Sequence, residues 1–144
     1  MANTTAQIVW LDTNVVFRYL LNDHNDHAPK AAALVRKAEQ GKIKLRLFMV
    51  VVMECCDTMI HAMGIDKPSI SEAMLRFIAL KGIETEAKMV VIEALTRFGQ
   101  KNNVDFVDAY LAAYAKAKKP AHVVTFNTKD FNVDGLPVSQ PDEF

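Results

Sequence analysis

The sequence predicts an α/β fold in which a mostly parallel sheet is covered by helices on both faces. Three observations predict it. Strand-like apolar runs alternate with helical patterns along the whole chain, and no internal repeat or low-complexity segment interrupts them. The first run, Ile8-Val9-Trp10-Leu11, is continuously apolar and rich in β-branched and aromatic residues, which is the pattern of a strand buried on both faces.

Residues 8–11 are therefore the first strand. Val15-Val16-Phe17-Arg18-Tyr19-Leu20-Leu21 carries its large apolar groups at helical spacing, then gives way to the polar loop 22–27. Pro29 suits a first helical turn, residues 31–39 are good helix formers, and Gly41 can take the left-handed conformation that closes a helix. Ile43, Leu45 and Leu47 alternate with Lys44 and Arg46 at strand period. A mostly apolar helix follows over 50–63, stopped by Gly64. Pro68-Ser69-Ile70-Ser71-Glu72 opens a helix to about residue 80, 83–85 form a short strand, and a helix spans 86–98. Asn102 and Asn103 read as the N-cap of a helix over 104–118 whose alanines and Leu111 face inward. Pro120 breaks that helix before a strand at 122–125, and the tail, residues 138–144, adds an edge strand.

With 144 residues, 51% apolar and 24% charged, the chain is expected to form one domain spanning 1–144. Its net charge of zero excludes a broadly cationic nucleic-acid surface, so backbone contacts must come from local cations, for which Lys42, Lys44, Arg46, Lys116, Lys118 and Lys119 are available. Cys55 and Cys56 are adjacent and alone, which excludes a disulfide framework or a zinc motif and fits a reducing cytoplasm. Residues 1–7 contain no basic residue and precede too short an apolar run for a signal peptide; no stretch approaches a membrane span.

Open parallel sheets bind ligands at the carboxyl ends of their strands. Asp12 directly follows the first strand, Asp105 and Asp108 open the helix before the fourth, and Asn127 and Asp130 follow that strand, so one edge of the sheet collects them. Asp12 also suits an N-cap, which is its alternative role. Glu54 lies inside Leu47-Phe48-Met49-Val50-Val51-Val52-Met53-Glu54-Cys55-Cys56, where a buried lone carboxylate costs several kcal/mol unless a cation offsets it; partial exposure on a helix face is the alternative. Asp105 and Asp108, three apart, share one helix face near the positive end of the helix dipole, which itself favours acids. Asp130 is the weakest member of the set, an outer carboxylate or a surface partner. Divalent-cation binding is a common cause for these acids.

At these residues the sequence resembles the PIN-domain family of metal-dependent ribonucleases, and in particular the VapC-type toxins of toxin–antitoxin pairs. Leu11-Asp12-Thr13-Asn14 matches the first motif of the family, with residues 16–21 and Asp23 continuing it; Glu54 falls at the second acid. Asp105-Phe106-Val107-Asp108-Ala109 resembles the third motif, and Thr125-Phe126-Asn127 with Asp130-Phe131 the fourth, where many members carry Asp in place of Asn127. That leaves the fourth acidic position open between Asn127 and Asp130. The resemblance implies a three-layer α/β/α fold with four to five strands and cleavage of RNA by bound Mg²⁺ or Mn²⁺. It further implies Asp12, Asp108 and Glu54 as metal ligands, Asp105 as a supporting acid, a homodimer, and a VapB-like antitoxin partner.

Three rival readings compete with it: a housekeeping PIN-type RNA-processing nuclease, which the chain alone does not separate from a toxin; an aspartate-dependent phosphatase, which Asn14 opposes because such enzymes carry a second Asp there; and a PIN-like scaffold that binds without cutting. His24 and His27 are expected in a solvated loop, the cysteines packed as small apolar residues, and His61 and His122 without catalytic partners. Met59, Met63, Ile70, Met74, Leu75 and Ile78 are each expected to pack in the core; any remainder that one small core does not absorb would favour a second copy or a partner helix.

Overall fold

The alternation Ile43-Lys44-Leu45-Arg46-Leu47 gives a strand with one apolar and one charged face, and the computed structural model, which describes residues 5–101 and 103–143, places it at the centre of a three-stranded parallel ladder. Strand β1 (Gln7–Trp10) pairs with β2 (Ile43–Leu47), which pairs with β3 (Ile83–Thr85). Val9, Leu45 and Ile83 stand in register on the inner face, and Leu45 and Leu47 are fully buried. The crossovers are α1 (Thr13–Leu21) with α2 (His27–Glu39), then α3 (Met49–His61) with α4 (Lys67–Ile78). Helices α5 (Lys88–Gln100) and α6 (Phe106–Ala117) lead to a second parallel pair, β4 (Val123–Val124) with β5 (Val138–Ser139), and 3-10 turns occupy Thr128–Phe131 and Pro141–Glu143. The α/β class, with six helices and parallel strands among the described residues, is as the sequence predicts.

Strand β1 departs from expectation. It is the edge of its ladder rather than a strand buried on both faces, and Trp10 is 55% exposed. Ile8 and Trp10 lie in register with Lys44 and Arg46, on the face where Glu84 pairs with both cations at 3.4 and 2.9 Å. A charged neighbour strand keeps that face in water, which a reading of residues 8–11 in isolation cannot register.

One core, built on Leu45, Leu47, Val52, Met59, Ile70, Met74, Phe77, Leu95 and Phe98, joins α3, α4 and α5 to the ladder. Met59, Ile70, Met74 and Ile78 are absorbed completely, as core packing predicts, and Met63 is the one of the six left exposed. A smaller core of Ala112, Val123, Phe131 and Leu136 fixes the second strand pair against α6. Gly82 takes φ +87° as it enters β3, where a Cβ would collide with the Ala38 carbonyl, so only glycine fits.

Helix α6 starts later than predicted. Asp105 occupies the N-cap position, Asn103 is used elsewhere, and Asn102 lies outside the described residues, as do residues 1–4 and Phe144. Leu111 points outward at 46% exposure; Phe106, Ala109, Ala112 and Ala113 are the buried stripe, and Val107, Leu111 and Tyr114 form an exposed one at helical spacing. The tail contributes only the two residues of β5. No described helix is long and apolar enough to cross a membrane.

Candidate functional site

Asp12 lies two residues beyond β1 and takes the N-cap position of α1, with extended backbone angles and a carbonyl that accepts the Val15 N–H at 3.1 Å. Its exposed carboxylate, however, makes no capping bond. Asp105 repeats the pattern at the start of α6. Asp66, at the same position of α4, shows the ordinary use: its carboxylate accepts the Ser69 N–H at 3.1 Å and the Ser69 hydroxyl at 2.7 Å, and the hydroxyl first, then the N–H, hold its pKa below the usual range. Asp12 and Asp105 are thus placed like caps while their charges stay available.

Glu54 is exposed, which corrects the expectation of a buried carboxylate. At about 100° per residue, Val52, Cys55, Cys56 and Met59 form the inward stripe of α3, and Glu54 falls on the opposite side with Val50 and Asp57. No burial cost therefore demands a cation. What holds Glu54 is Thr13, whose buried hydroxyl donates to Oε2 at 2.8 Å and ties the start of α1 to α3.

A cleft of about 440 Å³ is lined by Val50, Glu54 and Asp57 of α3 and by Asp105, Val107 and Asp108 at the start of α6. Three of the predicted acids therefore share one wall-to-wall opening. Asp12 is not among the residues that line it; its neighbour Thr13 bonds Glu54, and both Glu54 and Asp12 act electrostatically on Cys55. Burial first, then Glu54 and Asp12, push the Cys55 thiol up to about 12, so it stays protonated and packs as an apolar residue. Cys56 is buried beside it, its pKa raised above the usual thiol range mainly by desolvation. On the other wall the Asp108 carboxyl is raised above the ordinary aspartate range by partial burial first, then by Asp105 and Asp130.

Asp130 is buried, not the surface carboxylate that one reading of the sequence expects. It is 7% exposed, and its two carboxylate oxygens accept from the Asn103 amide at 3.0 Å and the Asn127 amide at 2.6 Å. Arg97 secures the same turn by donating to the Asp130 carbonyl at 3.0 Å. Asn127 is exposed and serves the turn by holding Asp130.

Three contributors escaped the sequence reading. Thr13 was visible only as the middle of Asp-Thr-Asn, and Asn103 only as a cap. Asp57 was signalled by its spacing from Glu54, three residues along one helix face. Conversely, Asn14 lines a separate groove between α1 and α2, with Val15, Arg18 and Leu34. His24 and His27 stack on each other at 4.1 Å, and the His24 ring accepts the His27 N–H at 2.9 Å, fixing the turn into α2.

The donors of the cleft are carboxylate oxygens, the set preferred by a hard divalent cation. Among the described residues no three His, Cys, Asp or Glu side chains gather closely enough to hold an ion between them.

The family model described as PIN domain matches residues 9–135, the span that contains every one of these acids. No curated protein matches the chain.

Proposed function

The chain belongs to the PIN-domain family, whose members are in general metal-dependent nucleases acting on RNA, and from that premise we propose that it is a Mg²⁺- or Mn²⁺-dependent endoribonuclease, the toxin of a toxin–antitoxin pair. One observation carries the reading: Glu54, Asp105 and Asp108 open on one cleft with Asp12 linked to it through Thr13, while the two N-cap aspartates leave their carboxylates unused for capping.

In this proposal Asp12, Asp108 and Glu54 hold the cation. When bound, it supplies a polarised phosphoryl oxygen and a water acidic enough to attack at neutral pH. Thr13 keeps the Glu54 carboxylate turned toward the α1 end of the cleft. Asp105 adds negative charge beside Asp108, which raises the attraction for any divalent ion. Asp130 acts from behind, its carboxylate clamped by Asn103 and Asn127 and its charge felt by Asp108, so Asp130 fills the fourth acidic position and Asn127 supports it. Neutral overall charge is no obstacle, since the cation itself draws the phosphate.

We assign the whole chain, 1–144, to this one domain, working in the cytoplasm as a homodimer neutralised by a VapB-like antitoxin. The exposed stripe Val107, Leu111 and Tyr114 supports the second copy. A non-catalytic PIN-like module is favoured by one observation, the absence of a tight three-ligand cluster among the described residues. Cleavage decides between them. Wild-type protein is expected to cut single-stranded RNA in Mg²⁺ or Mn²⁺, leaving a 5′-phosphate, and folded Asp12→Asn and Asp108→Asn proteins to lose that activity; wild-type rates in both variants would sink the assignment.

A further inference from the structure

Trp10 and Phe48 stack face to face outside the core, with ring centroids 4.7 Å apart and planes 12° from parallel. Both are exposed, and the Arg46 guanidinium lies 5.5 Å from the Trp10 ring centroid. The pair lines a cleft of about 260 Å³ at the carboxyl ends of β1, β2 and β3, together with Arg46, Glu84, Thr85 and Glu86. The Thr85 hydroxyl there has no hydrogen-bond partner among the described residues. A large aromatic pair left in water forfeits the burial that normally stabilises such side chains, so folding alone does not account for it.

The position is informative. Trp10 precedes Asp12 by two residues, a span of at most about 7 Å along an extended chain. Phe48 is the N-cap of α3, the helix that carries Glu54. A planar aromatic surface flanked by a guanidinium, beside a carboxylate cleft, is the chemistry that binds unpaired bases, because every nucleobase offers a π face. The cleft is also smaller than the roughly 300–1,000 Å³ of a typical small-molecule site and suits one ring system. A protein partner fits less well: Lys44, Arg46, Glu84 and Glu86 surround the pair, whereas the centres of protein interfaces are depleted of charge.

The geometry points to Trp10 and Phe48 as a base-stacking platform that seats an unpaired nucleotide of single-stranded RNA next to the acidic cleft. The inference rests on the ribonuclease reading and deepens it by naming a substrate-binding subsite. Arg46, held by Glu84, positions the Trp10 ring.

Trp10 is the sole tryptophan of the chain, so its emission reports the platform directly. The experiment titrates the full chain with a short labelled oligoadenylate, in EDTA with wild-type protein and in Mn²⁺ with Asp108→Asn protein, reading indole quenching and RNA anisotropy together. Saturable quenching that tracks anisotropy is expected. Trp10→Ala and Phe48→Leu are expected to weaken binding about 5- to 150-fold and raise KM more than they lower kcat, with Trp10→Tyr largely restoring both. Circular dichroism checks that the variants fold. RNA bound without quenching and with equal affinity by folded Trp10→Ala overturns the platform and leaves the nuclease reading intact; RNA bound in neither condition overturns the platform as well, and absence of cleavage by wild type is what overturns the nuclease reading. Conversion of a dimer to a monomer by Trp10→Ala, with RNA affinity unchanged, would assign the pair to a protein interface instead.

Discussion

Thr13→Val removes a single hydroxyl from the junction on which the cleft depends. Thr13 is 6% exposed and donates to Glu54 Oε2 at 2.8 Å, a charge-assisted bond of a kind worth about 1.5–3 kcal/mol when its acceptor is buried. Glu54 is exposed, so water replaces the lost donor and the net cost falls to about 1 kcal/mol. For a chain of this size that is a drop in Tm of about 4 °C. Valine keeps the β-branched shape, so packing around α1 is largely retained. The functional loss is larger, because Glu54 is released from its orientation; groups that orient metal-binding side chains typically change affinity or activity about 10- to 100-fold. The assay is thermal unfolding in EDTA together with cleavage rate as a function of Mn²⁺. Thr13→Ser, which restores the hydroxyl, is expected to recover both. Wild-type Tm and rate in Thr13→Val, or equal impairment of the serine and valine variants, would show that the Thr13 hydroxyl does not orient Glu54.

The remaining predictions address the frame and the other wall of the cleft. Gly99→Ala sets a Cβ 2.6 Å from Ser71 Cβ at the α4–α5 contact, where Ser71 is fixed by its bond to the Leu95 carbonyl. Crowding of about 1–3 kcal/mol outweighs the roughly 1 kcal/mol gained in helix propensity, so unfolding experiments should show destabilisation, with Ser71→Gly in the same chain relieving it. Asp130→Ala deletes two amide contacts and should lower stability by about 2–4 kcal/mol in urea titrations, with Asp130→Asn milder because Asn127 can turn its amide to accept. Asp108 has a raised folded pKa, so in metal-free protein its contribution to stability is full below the ordinary aspartate range and is lost as pH rises through the raised value. The Tm difference between Asp108→Asn and wild type should therefore grow in favour of the variant as pH is raised from about 4 toward 7. Cys55, with its thiol near 12, should resist alkylation at pH 8 until the protein unfolds.

Where local pattern decides local structure, the sequence is legible. The alternation at Ile43–Leu47 and the β-branched start of Ile83–Thr85 mark both strands to the residue, because each follows a turn closed by a left-handed glycine, Gly41 and Gly82. The composition of its window hides the exposure of Glu54; its helical phase against Val52, Cys56 and Met59 places it in water. Leu111 shows the converse, an apolar residue on an outward face that only the neighbours of α6 can reveal. Asp130 depends on Asn103, 27 residues earlier, and no short-range pattern encodes such a pairing. The solvated face of β1 likewise follows from the charges of β2, its partner across the ladder.

The central claim is that the carboxylates around this cleft bind a divalent cation, and calorimetric titration of Mn²⁺ into metal-free protein tests it most directly. Saturable binding by wild type is expected, lost in folded Asp12→Asn and Asp108→Asn proteins and weakened in Thr13→Val. Absence of Mn²⁺ binding by wild type, or equal binding by all four proteins, would contradict it.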